Sequence, residues 1–117
     1  MKDNPSKERS YKFALSIIKL YKRVQATNEY IISKQLLRSG TSIGANIAEA
    51  TAAQSKKDFL HKMSIASKEA RETLYWLRLL KDSDLINFSI DEYLNEINQI
   101  IRIITKIVKT TSEHLKQ

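Results

Sequence analysis

The sequence predicts an all-α fold, an antiparallel up-down-up-down four-helix bundle. Three observations carry this reading. Apolar residues recur at spacings of three and four through most of the 117 residues, the period of an amphipathic helix. One proline and two glycines are the only strong punctuation, so strand and hairpin signals are missing. The stretches between periodic segments are short, which makes consecutive helices antiparallel neighbours. A helix of ~25 residues spans about 37 Å, so the bundle is expected to be elongated.

The first helix is read over 10–24, with Ala14, Ile17, Tyr21 and Val24 inward and Phe13, Ile18 and Leu20 broadening that face. Residues 1–9 lack periodicity and are read as a flexible tail ahead of a single bundle domain, 10–117. The second helix is read over 29–53, capped by Asn28 or Thr27, with Ile32, Leu36, Gly40 or Ser39, Ile43, Ile47 and Ala50 toward the core. The third starts at a Ser55 cap with Asp58 in its first turn, and its core stripe is Phe59, Met63, Ala66, Ala70, Thr73, Leu77 and Leu80. It ends near Lys81, after which Leu85, Ile86 and Phe88 are expected to tuck over the bundle end. The fourth has the clearest pattern. Ser89-Ile90-Asp91-Glu92 has the form of a capping box. Ile90, Leu94, Ile97, Ile101, Ile104, Val108, Thr111 and Leu115 form a seam that Tyr93, Ile100 and Ile107 widen.

The second helix carries a ridge of near-absent side chains: Gly40, Gly44, Ala48 and Ala52 at every fourth position. Glycine inside a helix costs about 1 kcal/mol relative to alanine. Two such residues in one helix imply a neighbouring backbone pressed against it. Helices two and three should turn near Gln54, so residues equidistant from it face each other, and Arg38 falls level with Glu69 to Glu72. Those charges are read as a partly buried ion pair rather than as acid–base or metal machinery. Asn46 is read as a structural residue rather than a ligand-binding one, either fixing register between helices or bonding a neighbouring backbone. Arg38, Gly40, Gly44, Asn46, Ala48, Glu49, Glu69 and Glu72 together form the structural set.

Composition narrows the chemistry. There is no cysteine, which excludes disulfides, thiolate metal sites and thiol nucleophiles and fits a reducing compartment. The polar N-terminus lacks a signal-peptide core. The longest apolar candidate, 97–108, is broken by Asn98, Gln99, Arg102, Thr105 and Lys106. A cytoplasmic protein without membrane contact is therefore expected. His61 and His114 lie on different helices without a Glu-x-x-His pair, and Glu69/Glu72 and Glu92/Glu96 are carboxylate pairs without histidine partners. No nucleophile elbow or phosphate loop is present. No cofactor, metal site or catalytic residue is expected.

The formal charge of +7 gathers in two segments: residues 1–27 carry seven basic and two acidic groups, and residues 55–83 carry seven and four. On the third helix Lys57, His61, Ser64, Lys68, Arg71, Tyr75 and Arg78 repeat at four and three, roughly 200° from the core stripe. Four bases, a histidine and a tyrosine on one line suit a phosphate backbone, with Tyr75 able to stack on a base. Lys12, Lys19 and Arg23 of the first helix could extend the patch. The alternative is an ordinary solvated face. Leu60, Ile65, Leu74, Trp76 and Leu79 of the third helix and Ile103 of the fourth fall off the core stripes, and surplus apolar surface marks an oligomer interface.

Two blocks carry a resemblance. Gln35-Leu36-Leu37-Arg38-Ser39-Gly40-Thr41-Ser42-Ile43-Gly44-Ala45-Asn46-Ile47-Ala48-Glu49-Ala50, followed by Ser55-Lys56-Lys57-Asp58-Phe59, resembles the bacterial four helix bundle protein family. That family includes proteins encoded in intervening sequences of large-subunit ribosomal RNA genes, also labelled S23 ribosomal protein. Ser64-Ile65-Ala66-Ser67-Lys68-Glu69-Ala70-Arg71-Glu72-Thr73-Leu74-Tyr75-Trp76-Leu77 is similar to its third helix, and Ala50 stands where glycine is common. The resemblance implies an up-down bundle. Through kinship with the accessory protein of diversity-generating retroelements, it also implies a homopentameric barrel with a basic surface. It implies no settled activity and no enzyme site. The expected function is a non-enzymatic homo-oligomeric bundle that binds RNA or DNA through a basic surface. The alternative is a scaffold or protein-interaction module without nucleic acid.

Overall fold

The structure, a computed structural model, describes residues 4–116. Four helices run in chain order: α1 (Pro5–Gln25), α2 (Ile31–Thr51), α3 (Lys56–Asp82) and α4 (Asp91–Lys116). The body measures 50 × 21 × 20 Å. Each helix packs on its chain neighbours and α4 closes back on α1, whereas α1 and α3, like α2 and α4, are diagonal and do not meet. Pairs such as Gly40 with Ile17, Gly44 with Ser10, Thr73 with Ser39 and Lys62 with Glu49 run in opposite senses along their helices, the antiparallel order of an up-down bundle.

α1 begins earlier than its apolar period indicated. Pro5, whose fixed φ suits the first helical position, follows an extended Asn4 whose side chain accepts the Ser6 N–H at 3.0 Å. Residues 5–9 of the expected tail are therefore helical, and residues 1–3 lie outside the described residues. Its buried face is Ser6, Ser10, Phe13, Ile17, Leu20 and Val24. Ala14 and Tyr21 are only half-buried, and Ile18 is exposed. The phase is turned because two of the buried positions, Ser6 and Ser10, are serines, which leave no apolar signal, and Ser10 is the residue that meets Gly44 of α2.

The start of α2 also differs. Asn28 adopts a left-handed φ of 71° in the α1–α2 turn, a conformation asparagine tolerates better than most residues. The Glu29 carboxylate instead accepts the N–H groups of Ile31, Ile32 and Ser33 at 3.1, 2.9 and 2.8 Å. It thus satisfies three donors that a helix start leaves open. Glu29→Ala is expected to lower stability by about 0.5–2 kcal/mol, with Glu29→Gln in between. Thermal melts followed by circular dichroism check this, and an Ala variant that melts like the parent would refute the role.

The remaining elements follow their patterns closely. Ser55 accepts the Asp58 N–H at 3.0 Å, and the buried face of α3 is Phe59, Met63, Ala66, Ala70, Thr73, Leu77 and Leu80. Ile86 and Phe88 pack against the core, while Leu85 is exposed. At α4, Ser89 accepts the Asp91 N–H at 3.3 Å rather than that of Glu92, so the cap is shorter than a full capping box. Ile90, Ile97, Ile100, Ile104 and Thr111 are buried, Leu94, Ile101 and Val108 are half-buried, and Leu115 is exposed.

The glycine ridge divides in two. A Cβ at Gly40 would stand 2.9 Å from Ile17 Cγ2, and one at Gly44 would stand 3.3 Å from the Ser10 carbonyl oxygen. Both glycines therefore face α1 at close range. Ala48 and Ala52 are exposed, so the ridge meets α1 only at its two glycines.

Candidate nucleic-acid interface

The core stripe of α3 dictates what its opposite face shows. With Phe59, Met63, Ala66, Ala70, Thr73, Leu77 and Leu80 inward, Lys57, His61, Ser64, Lys68, Arg71, Tyr75 and Arg78 are all exposed. The row from Lys57 to Arg78 runs about 32 Å along the helix. Among the described residues, none of its four bases sits within an ion pair of a carboxylate. Tyr75 is 56% exposed and meets Trp76 edge-on, with ring centroids 5.2 Å apart. Its outer face is open for stacking.

Lys12, Lys19 and Arg23 are exposed, but they do not extend this row. They ride on α1, the diagonal partner of α3, and an up-down topology cannot bring those two helices side by side. Arg23 instead lies over the Phe88 ring, 3.7 Å from its centroid, a cation–π contact that pins the α3–α4 connection.

The cations that do adjoin α3 belong to α4, and the sequence reading missed them. A groove of about 500 Å³ between the two helices is lined by Ser67 and Arg71 on one wall and by Thr105, Lys109, Ser112 and Lys116 on the other, with Val108 and Glu113 beside them. Arg71 donates to Thr105 Oγ1 across it at 3.4 Å. Whole-segment charge hid this site: Asp91, Glu92 and Glu96 at the start of α4 offset Arg102, Lys106, Lys109 and Lys116 further on. Counted from residue 102 onward, the same helix is basic, and its spacing of four and three puts 102, 106 and 109 on one face.

The family model described as 23S rRNA-intervening sequence protein matches residues 2–106. The chain belongs to the 23S rRNA-intervening sequence protein family. A crystal structure of a protein of unknown function from the S23 ribosomal protein family of Bacteroides thetaiotaomicron is similar to it. The two are 46% identical, with a TM-score of 0.82, over 89% of this chain and 98% of that one. None of the curated proteins matches.

In this member of the 23S rRNA-intervening sequence protein family, the structural charges are paired. Arg38 donates to Glu69 at 3.1 Å and to Glu72, whose Oε2 also accepts the Trp76 indole N–H at 3.0 Å. Glu49 pairs with Lys62 at 2.9 Å and, by that hydrogen bond, raises the Lys62 ammonium above its ordinary range. Glu96 takes two hydrogen bonds from Arg9 and likewise raises it. Burial pushes the Tyr93 phenol up. Of the two roles expected for Asn46 the structure shows the local one, not the register role: its amide donates to the Ser42 carbonyl at 2.9 Å and to Ser42 Oγ at 3.1 Å within its own helix. It sits on the α3 side of α2, away from the glycines, and ties no second helix. Ser39 and Thr73 make the buried cross-link instead, their hydroxyls 2.9 Å apart between α2 and α3.

Apolar surface is found on α1 as well as at the expected positions. Leu60, Ile65, Leu74, Trp76, Leu79 and Ile103 are all half-buried, and Leu74 and Trp76 pack against the core. The exposed apolar row is Tyr11, Leu15 and Ile18 on α1, at 61, 47 and 38% exposure, spaced four and three along one helix face. Among the described residues no cluster of three or more His, Cys, Asp or Glu is placed to hold a metal ion, and no helix is long and apolar enough to cross a membrane.

Proposed function

We propose that the chain is a non-enzymatic, homo-oligomeric helical bundle that binds RNA or DNA through a basic surface centred on α3. One observation carries the reading: the outward row Lys57, His61, Lys68, Arg71, Tyr75 and Arg78 is exposed along its whole length. Cations repeating along a rod neutralise successive phosphates and release their counterions, while an exposed tyrosine adds a sequence-tolerant stacking platform. The net charge of +7 adds a long-range field that draws a polyanion in. The family description refers to 23S rRNA, which makes an rRNA fragment a sensible first probe.

Self-assembly rests on separate support. The exposed apolar row of α1 would be covered by a second copy, and a ring of copies would sum modest positive patches into a strong field. Five subunits is the number the family resemblance implies, and the cytoplasm is the compartment that a cysteine-free chain suits. The second reading, a scaffold for a protein partner, draws on the same α1 row.

The deciding experiment is equilibrium binding of a labelled RNA and of a duplex DNA across salt, with solution mass recorded with and without nucleic acid. The expected result is an oligomer whose log affinity falls linearly with log salt. Affinity that does not change with salt would reject phosphate-dominated contact. An assembly that ignores both nucleic acids would favour the scaffold, and a bare monomer would reject self-assembly.

A further inference from the structure

The outer row of α3 is convex and meets a strand one charge at a time. The α3–α4 groove is concave, and basic and hydroxyl groups reach it from both walls. We infer that this groove is the principal seat of the nucleic-acid backbone, gripping phosphates between Arg71 on α3 and Lys109 and Lys116 on α4. The inference rests on the nucleic-acid reading above and locates it. Three features support it. Arg71 is only lightly held, by a 3.4 Å bond to the Thr105 hydroxyl, which a phosphate oxygen readily replaces with a shorter, charge-assisted one. Ser67, Thr105 and Ser112 line the same groove and supply neutral donors of the kind that fix a phosphate's position. Among the described residues, no carboxylate pairs with Arg71, Lys109 or Lys116. Glu113 is the one acid in the lining. It weakens a bound phosphodiester by like-charge repulsion and so tunes affinity downward.

A strand in this groove has the outer row as its overflow. Arg71 belongs to both surfaces, so a chain leaving the groove passes onto Lys68, Tyr75 and Arg78. The groove is shallow and open along the bundle, which suits an extended phosphodiester strand, and binding to an anionic membrane instead is an outcome of the test.

The test compares two variants of equal charge in the full-length chain: Lys109→Glu/Lys116→Glu in the groove, and Lys57→Glu/Arg78→Glu on the outer row. Each is titrated against a labelled single-stranded RNA across salt, and against phosphatidylserine vesicles. The groove variant is expected to lose at least about tenfold more affinity than the outer-row variant, with its log–log salt slope shallower by about 1.4. Glu113→Gln, which removes no cation, is expected to tighten RNA binding. Equal losses in the two double variants, or an unchanged Glu113→Gln, would overturn the groove while leaving nucleic-acid binding intact. Failure of the parent chain to bind RNA at low salt, or binding of vesicles alone, would overturn both. All five positions are exposed, and circular dichroism of each variant confirms that the helices are retained.

Discussion

Gly44→Leu is expected to melt roughly 10 °C or more below the parent protein, a loss at or beyond the upper end of the ~1–3 kcal/mol usual for overpacking. The cause is local and rigid. A Cβ at position 44 would already stand 3.3 Å from the Ser10 carbonyl oxygen and 3.5 Å from Ser10 Oγ. That carbonyl is backbone within α1, and Ser10 is fully buried, so it cannot swing aside as a side-chain tip would. Three further carbons must either enter the α1–α2 seam or prise the helices apart. Prising them apart also loosens Ile17, whose Cγ2 would lie 2.9 Å from a Cβ on Gly40. Two controls separate close approach from glycine chemistry in general. Gly44→Ala needs the neighbour to yield only a few tenths of an ångström and regains about 1 kcal/mol of helix propensity, so it should melt near the parent. Ala48→Leu lies on the same ridge but is exposed and should be tolerated. A Gly44→Leu protein with unchanged melting would mean that α1 does not press on α2 at all.

The second large effect concerns binding. Lys57, Lys68, Arg71 and Arg78 changed together to glutamate should weaken RNA or DNA binding by on the order of a thousandfold at low salt and leave the salt slope shallower by about 3. Four such changes remove two charges each and take the net charge from +7 to −1. All four side chains are exposed and none is in an ion pair among the described residues, so the helical fold and the solution mass should be retained. Nucleic-acid binding that survives the change would leave the basic row as a solvated surface and place the contact on other cations, whereas retained assembly with capture of a protein partner would favour the scaffold reading.

Which features were legible follows from where each kind of information resides. The inward face of α3 is seven residues at strict helical spacing, and all seven are buried, because the large apolar side chains at both ends of the row, Phe59 and Met63, Leu77 and Leu80, fix the phase that places Ala66, Ala70 and Thr73 between them. The level of Arg38 with Glu69 and Glu72 was readable because a tight turn near Gln54 sets antiparallel register by counting, and those side chains meet. The face of α1 was misjudged for the opposite reason. Its buried positions include Ser6 and Ser10, while Tyr11, Leu15 and Ile18 point outward, so composition runs against burial wherever backbones approach too closely for larger groups. The cap of α2 was assigned one or two residues too early, since Asn28 is committed to a left-handed turn and Glu29 reaches forward in its place.

The candidate site was half legible. Each helix declares its own solvent face, so the row on α3 could be read from its period alone. Which row lies beside which cannot be read within one helix. Lys12, Lys19 and Arg23 looked like neighbours of that row, yet their helix is diagonal to it, and Lys109 and Lys116 are the bases that share its groove. Periodicity by itself determined four rods, their order and most of their inward faces, because those properties follow from interactions a few residues apart. Tertiary packing decided which charges form one surface and how near α1 comes to α2, because both depend on contacts between residues tens of positions apart, where side-chain bulk rather than spacing sets the distance.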